Sequence, residues 1–256
     1  MGVVYCDSLP NKPLVEAILE VKWGDPGLPD PAYPMIVGRL YESVKAEYGV
    51  VEDLELAQFP PGLAVHVPRH RFRVGPNEWP LVQIGPGVAA LNDTQAYTWQ
   101  DFRRRALDFF PRLKKVHPDS DELRFTSVKL QYFDAIEFDF RNGDVKQFLR
   151  DKLHLQAGLP DVLFSGQPIE RNPMHAALQL GFATSEPKGR IQLGVSTGHR
   201  EDKPAVILDT AVASVGEEAE GARRDFESWL DSAHSLIHHW FFALIQGDLL
   251  EEFQRS

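Results

Sequence analysis

Near the C-terminal end, apolar residues recur at intervals of three and four: Phe226, Leu230, Ala233, Ile237, Trp240, Phe241 and Leu244. On a helix of 3.6 residues per turn these positions form one stripe. The spacing predicts a long helix over residues 217–245 with a face that needs a partner. Segments of period two upstream supply it. In residues 13–23, Val15, Ala17, Leu19, Val21 and Trp23 share one face, while Glu16, Glu20 and Lys22 take the other. Residues 123–140 form the longest such segment, with Val128, Leu130, Tyr132, Ile136, Phe138 and Phe140 on one side and Lys129, Gln131, Glu137 and Asp139 on the other. The same count places Asp134 on the apolar side.

Punctuation fills in the rest. Asp30 and Pro31 suit the start of a helix carrying Met35, Ile36, Leu40, Val44 and Tyr48, and Gly49 suits its end. Three strands are expected over 51–59, 62–74 (broken near Pro68) and 81–92 (bent at Gly85-Pro86-Gly87), with a turn at Pro60-Pro61. A helix over 98–116 carries Trp99, Phe102, Ala106, Phe109 and Leu113, and Pro111 predicts a kink or an early end. Asp144 caps a short helix over 145–155. Strands over 174–185, 190–197 and 204–215 follow. The first turns Ala176, Leu178, Leu180 and Phe182 inward; the last turns Val206, Leu208 and Val212 one way and Ile207 and Asp209 the other. After Gly247, Leu249, Leu250 and Phe253 add an apolar turn.

The order is β-α-β-β-β-α twice, with modules over 1–118 and 119–256 expected to form one continuous unit. Short hairpin spacings imply antiparallel pairing. The fold class is therefore α+β: a largely antiparallel sheet with helices packed on one face. In element order it is similar to the saddle of TATA-binding-protein-like folds or the helix-grip of START-like folds.

Four segments in this order carry a family resemblance: NKPLVEAILEVKW at 11–23, YTWQDF at 97–102, LQYFDAIEF at 130–138 and SAHSLIHHWFFALI at 232–245. Together they resemble a sporadically distributed bacterial family of uncharacterised proteins, across nearly the whole chain. Gln131 departs from the pattern, which favours Arg there. The resemblance implies a bacterial, intracellular protein and brings no activity or cofactor with it.

The net charge of −10 argues against a general nucleic-acid binder. A local basic face remains on the 98–116 helix, with Arg103, Arg104, Arg105, Arg112, Lys114 and Lys115; a solvated helix face accounts for it more simply. No apolar run is long enough to span a bilayer, and the N-terminal residues lack the pattern of a secretory signal, so the expected location is cytoplasmic. Cys6 is the only cysteine, which excludes an intrachain disulfide and a thiolate metal cluster.

Candidate chemistry is sparse. Asp134 stands out, because a carboxylate on an apolar face is costly unless paired or hydrogen-bonded. It suits a structural role, at a strand bend, at a helix end or paired with His234, better than that of a general base; a structural role makes Asp134→Ala destabilising. Asp134, Asp209 and His234 are the catalytic candidates. His234 and His238, four apart on one helix, lack the Glu of a zinc-protease motif. Pro68 interrupts the His66 and His70 pair. Neither a metal nor a cofactor is expected. No nucleophile elbow or phosphate-binding loop is present. Trp229, His238, Trp240 and Phe242 are the binding candidates, with Trp229 and Phe242 off the main stripe and so suggestive of a second contact surface. The leading expectation is a non-enzymatic binding or protein-interaction module, its partner another protein, a second copy or a small apolar ligand. The alternatives are an acid–base enzyme in a helix–sheet cavity and a nucleic-acid binder through the basic helix.

Overall fold

The computed structural model describes residues 3–5, 9–25, 27–59, 65–94, 96–120, 123–156 and 158–255. Among the described residues nine strands form one sheet in the order β2-β3-β4-β5-β1-β6-β9-β8-β7. The centre is the pair β1 (Leu14–Trp23) and β6 (Phe125–Glu137), antiparallel from Leu14↔Asp134 to Trp23↔Phe125. Outward from β1 lie β5 (Val88–Asp93), β4 (Leu81–Gly85), β3 (His70–Arg73) and β2 (Val50–Asp53). Outward from β6 lie β9 (Lys203–Val215), β8 (Lys188–Arg200) and β7 (Ala177–Ser185). Every pairing is antiparallel. In each half the strands after the first step back toward it, so the last pairs with the first.

The helices cover one face. The inward residues of β1 and β6, among them Leu19 and Leu130, pack against Ile36 and Leu40 of α1 (Tyr33–Val44). Phe102 and Leu113 of α2 (Trp99–Val116), Ala222 of α4 (Glu217–Arg224) and Leu230 of α5 (Phe226–Leu244) join the same cluster. A second cluster gathers Ile136, Val206 and Leu208 of the sheet with Leu149 of α3 (Val145–Lys152), Phe242 of α5 and Leu249 of α6 (Asp248–Gln254). Each of the Leu, Ile, Val and Phe side chains among them contributes about 1.5–3 kcal/mol on burial. No helix among the described residues is long and apolar enough to cross a membrane.

Caps explain where several helices begin. Thr98 accepts from Asp101 N at 3.4 Å to start α2, and Asp144 accepts from Lys146 N at 2.9 Å to start α3. α2 runs past Pro111 to Val116.

Other elements differ from expectation. The 217–245 segment is two helices, broken at Asp225, whose φ of −129° and ψ of 65° leave the helical region; its carboxylate accepts from Ser228 N to start α5. Residues 81–92 are two strands, because Gly87 takes a left-handed φ of +77° and closes a hairpin at Gly85↔Val88. Four strands therefore follow α1 in the first half where three were expected. The 51–59 strand reduces to β2 and a 3₁₀ turn at Glu55–Gln58, and over the described residues 65–74 the expected strand reduces to β3. Pro60-Pro61 and Cys6 lie outside the described residues. α1 stops at Val44, short of Gly49, and its N-cap is Ala32 with no side-chain cap; Asp30 instead accepts from Trp23 Nε1 at 2.6 Å and from Ala32 N. Met35 on its stripe is 42% exposed. A β-bulge between Leu14 and Glu16 buries Leu14 and leaves Val15 36% exposed. β7 ends the sheet with a side uncovered, so Phe182 is 50% exposed rather than inward.

Candidate functional site

Along the inner face of β6, Tyr132 belongs to the first core cluster and Ile136 to the second. Asp134 stands between them. Period-two geometry points all three toward the helices, and the two clusters do not close over the carboxylate. A cavity of about 440 Å³ opens at this seam. Leu14, Tyr132 and Asp134 supply the sheet wall, and Tyr97, Thr98 and Trp99 at the start of α2 supply a second. His234, Ile237, His238, Phe241 and Phe242 line it from α5, and Tyr5, Leu9 and Lys12 from the N-terminal segment.

The polar groups fall into two sets. One is a chain of hydrogen bonds: Tyr97 OH to Tyr132 OH at 2.6 Å, and Tyr132 OH to His234 Nδ1 at 3.1 Å. It runs in either direction, according to which ring nitrogen of His234 carries the proton. Trp99 stacks on the His234 ring with centroids 3.7 Å apart and planes 8° from parallel. Burial, and then the neighbouring His238, push the His234 pKa down to about 3, so it is a neutral imidazole at physiological pH. Burial pushes both tyrosine hydroxyls well above their ordinary range.

The second set is Asp134 alone. Its residue is only 6% exposed, and among the described residues no donor hydrogen-bonds its carboxylate, whose oxygens open onto the cavity rather than being sealed in the core. Burial raises its pKa to about 7, and the Arg200 charge opposes that rise. The acid therefore changes between neutral and ionised near neutrality. Lys12 also lines the cavity, but its Nζ donates to Tyr97 O at 2.6 Å and the charge that acts on it is Asp93; burial lowers its pKa. Tyr5 stacks on His238 at 5.6 Å and its hydroxyl meets His239 Nδ1.

No family model matches the chain, and no curated protein matches it. A solved structure of Methanococcus jannaschii TBP is similar to it at 13% identity, over 87% of this chain and 99% of that one, with a TM-score of 0.26.

Of the residues singled out by sequence, Asp134, His234, His238 and Phe242 converge on the cavity. Asp134 and His234 share it without a hydrogen bond between them, because His234 Nδ1 turns to Tyr132. The structural partners anticipated for Asp134 are thus not formed. Asp209 is on the opposite face: it pairs in register with Phe133, while Leu208 pairs with Asp134, and it accepts from Gln131 Nε2 at 2.6 Å. Trp229 is in the core, its Nε1 donating to Ser214 Oγ at 2.8 Å, and Phe242 is buried in the second cluster, so the two make no second surface. Trp240 is half-buried and meets Phe182 edge-on at 5.6 Å.

His66 and His70 engage different partners, Trp23 O and the Tyr33 hydroxyl. Among the described residues no group of three or more His, Cys, Asp or Glu side chains is placed to hold a metal. The basic face of α2 is largely neutralised within the chain. Arg103 bridges to Asp231 and Glu227 of α5, Arg104 and Arg105 both meet Asp101, and Arg112 meets Asp108 and Glu47.

Sequence reasoning missed Tyr97 and Lys12 as site residues. Tyr132 carried a usable signal: it sits two residues before Asp134 and so shares its face. Nothing local ties Lys12 or Tyr97 to them.

Proposed function

We propose that the chain is a binding protein that takes one small organic molecule, largely apolar in body, into the seam between its two core clusters. One observation carries this reading: a buried carboxylate faces a cavity of about 440 Å³ and receives no hydrogen bond from the described residues. The carboxylate opens onto the cavity, where a ligand donor reaches it without displacing a hydrogen bond from the described residues. The volume is in the range of small-molecule sites, roughly 300–1,000 Å³, and walls of aromatic rings with a few polar groups are what such sites use.

An enzyme with Asp134 as general base is the second reading, favoured by its pKa of about 7. Against it, His234 is neutral and tied to Tyr132, and among the described residues no Ser, Cys or Lys in the wall is bonded to a base.

Methyl NMR tests the binding reading directly. With methyl-labelled Ile and Leu, fragments from a general collection should shift Leu14 and Ile237, which line the cavity, while leaving Leu40 of the α1 core unmoved. The cavity-filling variant Ile237→Phe should weaken those shifts. A collection of several hundred fragments in which none moves Leu14 or Ile237 would remove the proposal.

A further inference from the structure

We infer that the molecule this cavity takes is an organic cation, its protonated nitrogen paired with the Asp134 carboxylate and its body held among aromatic rings. This rests on the ligand-site reading above and specifies the class of ligand.

Among the described residues the carboxylate lacks a donor. Ionised, it only accepts hydrogen bonds, so its complement must be a donor. Charge-assisted hydrogen bonds are roughly twice as strong as neutral ones, and in a buried site the pairing is screened least. The protein's own cation acting on Asp134 is Arg200, and it makes no hydrogen bond to it. Lys12 donates to Tyr97 O and answers Asp93. His234 stays neutral. Among the described residues no cation is hydrogen-bonded to Asp134, so the cationic partner comes with the ligand.

The walls support the same class. Tyr5, Tyr97, Trp99, Tyr132, Phe241 and Phe242 all line the cavity that the acid faces. Aromatic faces attract an ammonium or guanidinium as well as covering apolar surface, which aliphatic walls would not do. An anion would have to lie at Lys12 and the start of α2, leaving Asp134 unanswered and facing a like charge.

Isothermal titration of the full chain with three probes of matched shape separates these cases: 2-phenylethylamine (cation), 2-phenylethanol (neutral) and 3-phenylpropionate (anion). At about pH 8, Asp134 is mostly ionised and the amine still protonated. The amine should bind roughly tenfold or more tightly than the alcohol. Asp134→Asn should abolish that preference while changing the alcohol's affinity by no more than about twofold. Equal binding of amine and alcohol, or tightest binding of the propionate, would overturn the cation assignment and leave the cavity reading standing. If none of the three bound, the cation assignment would fall, and the fragment screen above would decide the cavity reading separately. The comparison among probes uses the unaltered chain, so it stands even if the Asn variant does not fold.

Discussion

At the scale of single residues, Asp134 and His234 oppose each other in their dependence on pH. The Asp134 pKa is raised in the fold, from an ordinary 3.8 to about 7. A raised acid is a group whose stability contribution is complete below its unfolded pKa and is lost as pH rises through the folded one. His234 is depressed from 6.5 to about 3, so its contribution is present above 6.5 and is lost as pH falls toward 3. Comparing the chain with Asp134→Asn at each pH isolates the first effect, because the amide has nearly the same shape and does not titrate. The unaltered chain should lose ground to the variant between about pH 4 and pH 8, by up to a few kcal/mol, read as the difference in Tm. A Tm difference that stays constant across that range would refute the buried, unanswered acid. Period-two counting along residues 123–140 already places this carboxylate inward. Its lack of a partner was not legible there. His234 turns to Tyr132, and the seam between two core clusters is a property of the packed chain.

Among the elements, the terminal helices show what periodicity carries and what it omits. The three-four spacing from Phe226 onward correctly marks the face of α5 that meets the sheet, with Leu230, Ala233 and Ile237 buried. The break at Asp225 was hidden because helical residues continue on both sides of it; Asp225 is visible as a cap only once the chain turns there. Trp229 looked free for the same reason, being off the stripe of an unbroken helix. In the fold, its indole N–H donates to Ser214, whose hydroxyl in turn donates to Lys188 O. Trp229→Phe keeps most of the ring and removes that donor. It should cost roughly 1–3 kcal/mol in urea unfolding with an unchanged m value. An undisturbed midpoint would mean that the indole bond contributes nothing. β7 shows the converse case. Its alternation of Leu178, Leu180 and Phe182 is that of a covered strand, but coverage depends on a neighbour, and β7 is the last strand of the sheet.

For the whole molecule the decisive contact is the long pairing of β1 with β6, which joins residues more than a hundred positions apart into the middle of one sheet. Local spacing showed that each half holds antiparallel strands; it had no means of showing which strand of one half meets which of the other. Because Leu19 and Leu130 face each other across that pairing and lie in the same core cluster as α1, α2 and α5, neither half can lose its centre without exposing the other. The two halves should therefore unfold as one cooperative unit. Leu130→Ala should cost about 2–5 kcal/mol through the cavity it leaves. Far-ultraviolet circular dichroism, which reports the whole sheet, and tryptophan fluorescence, which reports Trp23 and Trp99 as well as Trp229 and Trp240, should shift to lower temperature together and remain coincident. Two separated transitions, with only one moved by the substitution, would show instead that the halves fold independently and that the β1–β6 seam is a docking contact between them.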